Sequence, residues 1–206
     1  NLDDMFNEYK NIQKEITINH MKIIPQTWKC IDTLKDMNIL TGVTTGFDKE
    51  QTDLVREKLE LRGIHIDNYE CSDYDMGIMR PNVDMILLNM LKLDIDDSKN
   101  ILKVDDTSIG IEEGLKAGCW TAGVYRWSSN MKVMSLEESE RVDNVIMDQT
   151  NDYNQNYSEL MIKKQISKNI LTKTGSHFVL PSVGYIPGLV NDINDMNISL
   201  NKKYIN

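Results

Sequence analysis

Cysteine is scarce in this sequence: Cys30, Cys71 and Cys119 are odd in number and stand far apart among apolar or small residues. That usage argues against a disulfide framework or a zinc cluster as the organising feature, and it points to a reducing, cytoplasmic compartment. Long hydrophobic runs are missing too. No stretch approaches the roughly 18 apolar residues of a membrane helix, so no membrane partner is expected. Basic residues are outnumbered, 23 Lys and Arg against 32 Asp and Glu, for a formal net charge of -9. A polyanion such as nucleic acid needs clustered positive charge and is excluded as a partner, which leaves a metal ion or a small ligand. The first residues show no charged start leading into an apolar core, so a signal peptide is not expected in them. There is no initiator Met either, and the gene product is expected to begin upstream of Asn1. What remains is an ordinary globular balance at a length that suits one domain with a small appendage.

Periodicity then organises the chain. Met5, Phe6, Tyr9, Ile12 and Ile16 recur from Leu2 at three- and four-residue steps, which predicts an amphipathic helix with one buried face. Pro25 opens a second helix reaching about Met37 and packing Trp28, Ile31 and Leu34, followed by a strand over 39–45. A helix over 49–62, packing Leu54, Val55, Leu59 and Leu61, closes at Gly63, and a short strand lies near Tyr69. A helix over 83–93 carries Met85, Ile86, Leu88, Leu91 and Leu93. The short apolar run 101–104 ends in Asp105-Asp106, the profile of a buried parallel strand. A helix over 111–116 stops at Gly118, and 120–125 is again strand-like. Residues 128–157 read as a long surface loop, then come a helix over 160–171, a strand over 177–180 and a last helix around 186–200. Strands alternating with helices imply right-handed crossovers, hence an α/β doubly wound parallel sheet with its chemistry at the carboxyl ends of the strands.

Three patterns fall at such ends. Thr44-Thr45-Gly46 offers a hydroxyl and backbone N–H groups that suit a phosphate, or else the threonines cap the following helix. Arg80-Pro81 before a helix offers a permanently charged fork toward a phosphate or carboxylate, or else a solvated surface arginine. Asp105-Asp106-Thr107 suits a hard cation such as Mg2+, or else a helix cap plus one solvated acid.

Thr, then Arg, then Asp-Asp at successive strand ends resembles the second, third and fourth motifs of haloacid dehalogenase (HAD) superfamily phosphotransferases. The stretches 41–47 (TGVTTGF), 79–81 (MRP), 103–107 (KVDDT), 113–121 (EGLKAGCWT) and 175–179 (GSHFV) resemble phosphonoacetaldehyde hydrolases, in one register through nearly the whole chain. The resemblance implies a HAD-like (Rossmannoid) doubly wound parallel sheet with only the last helix of a helical cap: residues 1–20 as the cap remnant and 21–206 as the core domain. It implies that Thr44, Thr45 and Gly46 bind the phosphoryl group, that Arg80 stabilises its charge, and that Asp106 ligates magnesium with Asp105 in support. Such enzymes cleave the carbon–phosphorus bond of phosphonoacetaldehyde to acetaldehyde and phosphate. An aspartate attacks phosphorus, and a cap lysine forms an imine with the aldehyde.

Both of those groups belong, by the resemblance, before Asn1, and no segment over 1–38 matches either. Phe47 stands where a Tyr is often found, and Met79 replaces a smaller residue. The expectation is a phosphonate-cleaving hydrolase when complete, with this chain alone inactive. The alternatives are a catalytically silent structural module and another phosphatase of the superfamily. The nucleophile strand of the superfamily lies between the strands read here over 39–45 and 101–105. Its place, about two strand spacings or roughly 9.6 Å, must be filled to satisfy backbone groups that cost about 1 to 3 kcal/mol each when buried unpaired. A preceding segment, a homodimer or other partner chain supplying a strand, or direct closure of the two strands would do so.

Overall fold

A computed structural model describes residues 1–131 and 155–195, and in it parallel strands alternate with helices as the pattern predicts. The chain divides into two compact units, Asn1–Asp94 and Ile95–Asn206.

The first unit runs α1 (Leu2–His20), α2 (Thr27–Asp36), β1 (Gly42–Thr45), α3 (Lys49–Glu60), β2 (Asn68–Cys71) and α4 (Asp84–Lys92). β1 and β2 pair in parallel, with Gly42 opposite Asn68 and Thr45 opposite Cys71. A parallel pair needs a crossover, and α3 supplies it. Asp48 starts that helix by accepting the Gln51 N–H at 3.0 Å, and Gly63, at a φ of 75°, turns the chain after it. Ile64, Ile66, Met85 and Ile86 are buried beside the strands. Asn89 of α4 ties them together: its amide donates to the carbonyls of Val43 and Met85, both at 3.0 Å, and its oxygen accepts from Asn68 at 2.9 Å. A methyl on Gly42 would come within 2.5 Å of that oxygen, so glycine is the residue that lets α4 approach β1.

α1 departs from expectation. Its polar side faces α3, with Lys10 on Asp48 at 2.9 Å, Lys14 on Glu50, and the Gln51 amide donating to Gln13 at 2.9 Å. Met5, Tyr9, Ile12 and Ile16 are each more than half exposed. The periodicity predicted the helix correctly and its buried face wrongly, because α3 opens with Asp48, Glu50 and Gln51 and thereby selects the lysine side. Trp28, Leu61 and Leu91 are likewise exposed rather than packed. The strand expected from residue 39 starts at Gly42, since the Ile39 N–H donates back to the Leu34 carbonyl and Asn38 adopts a φ of 57°, closing α2 first.

The second unit runs β3 (Leu102–Asp105), α5 (Ser108–Lys116), β4 (Trp120–Val124), α6 (Gln155–Lys173), β5 (Phe178–Leu180) and α7 (Ile186–Asp195). Its sheet has the order β3-β4-β5, all parallel, with Asp105 opposite Gly123 and Val124 opposite Leu180. Among the described residues β3 has one paired neighbour, β4, as β1 has β2. Gly110 and Gly114, one turn apart on α5, let that helix press against the strands: a methyl on Gly110 would overlap the Asp105 carboxyl, and one on Gly114 would meet Lys103 and Thr121 at 2.8 Å. Ile111, Ala122 and Leu171 are fully buried in this unit. Thr121 and His177 extend the β4–β5 pairing through side chains. The His177 N–H donates to Thr121 Oγ1 at 3.0 Å, and the Thr121 N–H donates to His177 Nδ1 at 3.1 Å. The loop expected over 128–157 includes a 3₁₀ turn at Ser129–Met131, and α6 begins at Gln155; the stretch 132–154 lies outside the described residues, as do 196–200 of the expected last helix.

Candidate functional site

In the first unit the site residues gather at the carboxyl end of β1. Thr45 Oγ1 accepts the Phe47 N–H at 3.2 Å, and the Ser72 N–H reaches the carbonyls of Thr45 at 3.1 Å and Phe47 at 3.0 Å. Buried Ser72 therefore fixes the 45–47 turn from the end of β2, a contribution that no sequence signal marked. A Cβ on Gly46 would meet nothing within 4 Å, so the backbone there borders open space. The Arg80 guanidinium donates to the Thr44 carbonyl at 2.8 Å and to its hydroxyl at 3.0 Å. Arg80 is thus half-buried and attached to the threonine turn rather than being a solvated surface arginine. The helix cap is Asp48, and the threonines are left to the turn. Burial alone would raise the Asp48 carboxyl; the Gln51 amide and Lys10 outweigh it and hold the group below its ordinary value. Phe47 also lines an apolar cavity of about 430 Å³ with Ile16, Ile24, Val55 and Leu59.

In the second unit the two adjacent aspartates have different surroundings. Alternation along β3 puts Lys103 and Asp105 on one face. Asp105 is buried, its carboxylate accepting from the Thr107 N–H at 3.0 Å and hydroxyl at 2.7 Å, and lying 3.3 Å from the Lys103 ammonium. The same ammonium lies 3.1 Å from Glu113 of α5, which is 0% exposed. Thr107 also caps α5, its hydroxyl accepting the Gly110 N–H at 3.1 Å. Asp106 turns the other way: its carboxylate accepts the Ser129 N–H at 3.0 Å, and its carbonyl accepts the Ser128 hydroxyl at 2.6 Å. Lys103, Glu113 and Ser128 were not anticipated, although the Lys-x-Asp alternation carried a signal for the first.

Of the pair, Asp105 is engaged by Thr107 and Lys103, which leaves the Asp106 carboxylate as the hard oxygen donor at the strand end. One such group is within what magnesium takes, because that ion commonly binds one or two carboxylates and keeps several waters. Among the described residues no group of three or more His, Cys, Asp or Glu could hold a metal ion. All three cysteines are free, and burial pushes the Cys30 and Cys119 thiols up to about 11 and raises Cys71 as well, so none is an activated nucleophile. No helix among the described residues is long and apolar enough to cross a membrane.

Known proteins resemble this chain in sequence and fold. Phosphonoacetaldehyde hydrolase from Bacillus cereus (strain G9842) is 28% identical over 192 residues, covering 93% of this chain and 67% of the relative. The protein of the same name from Parabacteroides distasonis is 29% identical over 174 residues, covering 84% of this chain and 60% of the relative. This chain therefore spans about two thirds of the length of the curated relatives it matches. The crystal structure of a phosphonoacetaldehyde hydrolase like protein from Oleispira antarctica superposes with a TM-score of 0.78 at 26% identity, over 95% of this chain and 66% of that one. L-2-haloacid dehalogenase from Xanthobacter autotrophicus, at 17% identity and a TM-score of 0.53 over 81% of this chain and 60% of that one, shares the fold. The profile of the haloacid dehalogenase-like hydrolases matches residues 1–124, more than half of the sequence, and to that family this chain belongs.

Proposed function

We propose that this chain carries the phosphoryl-binding and metal-binding parts of a phosphonoacetaldehyde hydrolase, which cleaves the carbon–phosphorus bond of phosphonoacetaldehyde to acetaldehyde and phosphate. The observation that supports it most is Arg80 fastened to Thr44 at the end of β1. That anchorage holds a permanent charge beside a hydroxyl-lined turn, the arrangement a phosphoryl group requires. Thr45 and the Gly46 backbone complete the grip, Arg80 stabilises the charge that builds on the phosphoryl oxygens, and Thr44 positions Arg80. Asp106 holds magnesium, with Asp105 in support through the 105–107 turn. Bound there, the cation would neutralise phosphoryl oxygen charge. Residues 1–20 serve as a cap helix, and the attacking aspartate and the imine-forming lysine lie outside the matched motifs, so the 206-residue chain by itself is inactive.

Two measurements test this. Calorimetry should find that inorganic phosphate binds the chain and that Arg80→Ala weakens it at least tenfold; equal affinity would remove Arg80 from the assignment. Phosphate release from phosphonoacetaldehyde with magnesium should stay at background, and turnover by the purified chain would show that it supplies its own nucleophile.

A further inference from the structure

Past β4 the chain stays attached to the sheet. The Tyr125 and Arg126 N–H groups donate to the carbonyls of Leu180 and Pro181, at 3.0 and 3.1 Å, which prolongs the β4–β5 pairing by two residues. Ser167 of α6 donates its hydroxyl to the Tyr125 carbonyl at 3.1 Å. The next five residues divide their side chains by polarity. Met131, fully buried, packs with Leu160 of α6 and with Trp127. Ser128, Ser129 and Asn130 turn to Asp106. The Ser128 hydroxyl, on a residue 4% exposed, donates to the Asp106 carbonyl at 2.6 Å while accepting the Asn130 N–H at 3.1 Å. The Asn130 side-chain amide reaches that carbonyl at 3.5 Å, and the Ser129 N–H holds Asp106 Oδ2 at 3.0 Å. A buried hydroxyl with both its donor and an acceptor position in use cannot turn to water without losing both bonds.

We propose that residues 127–131 are a clamp that positions Asp106: Met131 and Trp127 anchor it on α6, Ser128 fixes the Asp106 backbone, and the Ser129 amide fixes the rotation of its carboxylate. The clamp's purpose rests on the reading of Asp106 as the magnesium ligand. With Oδ2 held by an amide, the direction of Oδ1 is set before any cation arrives. That matters for magnesium, which demands near-ideal octahedral geometry, and removing such outer partners commonly costs about 10- to 100-fold in metal affinity. Ser128 and Ser129 are positioning residues in this scheme.

The test uses the full chain labelled with nitrogen-15. In Ser128→Ala, exchange of the Ser129 amide should accelerate at least about tenfold, Mg2+ affinity by calorimetry should fall by about tenfold, and the amides of Ala122 and Val124 should exchange as before. Unchanged Ser129 exchange overturns the clamp, and accelerated exchange with unchanged Mg2+ affinity overturns its role in metal binding. If Mg2+ binds the parent chain and Asp106→Asn alike, the metal reading falls; Ser129 exchange then still decides the clamp, faster supporting it and unchanged overturning it. Should Ser128→Ala also loosen the core amides, Asp106→Asn tests the contact from its other end. Its weaker acceptor must speed Ser129 exchange several-fold with the core intact, and no change overturns the proposal.

Discussion

Lys103→Met tests the buried charge beneath the aspartate pair. The Lys103 side chain is 9% exposed, between Asp105 at 3.3 Å and Glu113 at 3.1 Å. Methionine fills most of the same volume, so the packing against Gly114 survives and the change isolates the ammonium. Without it, two buried carboxylates lose their shared cation. Removing one partner of a buried pair costs about 3–5 kcal/mol, a large share of the roughly 5–15 kcal/mol that holds a domain folded. At about 2–4 °C per kcal/mol for chains of this length, the melting temperature should fall by roughly 6–20 °C. Circular dichroism during thermal and guanidinium unfolding measures it. Lys49→Met is the control, because the Lys49–Asp53 pair lies on the surface and its loss should not be resolved. Lys103→Met with Glu113→Leu should recover part of the loss, since it removes one of the two uncompensated anions and leaves Asp105 with its bonds from the Thr107 N–H and hydroxyl. Lys103→Met melting within error of Lys49→Met would refute the reasoning.

Thr107→Ala removes both the cap of α5 and a bond to Asp105, so denaturant unfolding should show a loss of about 0.5–2 kcal/mol or somewhat more; a variant as stable as the parent would contradict the cap assignment. Burial lowers the pKa of His177 below 6.5, and its Nδ1 accepts the Thr121 N–H, so the folded ring is neutral. The unfolded chain takes up its proton near pH 6.5 and the folded chain only further down. The stabilising contribution is therefore complete above pH 6.5 and is lost as pH falls through the window below it. Denaturation midpoints from pH 8 to 5 should decline more steeply for the parent than for His177→Gln, and equal slopes would sink the idea.

How far the sequence could be read follows from how local each signal is. Short apolar runs ending in Thr or Asp marked β1 and β3, and glycines at positive φ closed α3 and α5 at Gly63 and Gly118, because strand ends and caps are set by a few adjacent residues. Thr44 and Arg80 were legible as candidates but not as partners, since the bond between them spans 36 positions. The face that α1 buries was misread because periodicity reports which residues share a side, while the residues opposite decide which side is taken. Ser128 resembled a loop residue for the same reason: its sequence neighbours are polar, and the bond that marks it out, to the Asp106 carbonyl, spans 22 positions.

The orientation of α1 makes its attachment responsive to ionic strength. Lys10, Gln13 and Lys14 hold it to α3 through Asp48, Gln51 and Glu50, with the Lys58 ammonium donating to the Ile18 carbonyl at 2.9 Å. These contacts are partly open to solvent, and the screening length shrinks from about 10 Å at 0.1 M salt to about 3 Å at 1 M. The buried apolar residues beneath β1 and β2 feel no such screening. Raising sodium chloride should therefore release residues 1–20 while the rest of the unit stays folded, and a protease added at high salt should cut within 21–26 before anywhere else in residues 1–94.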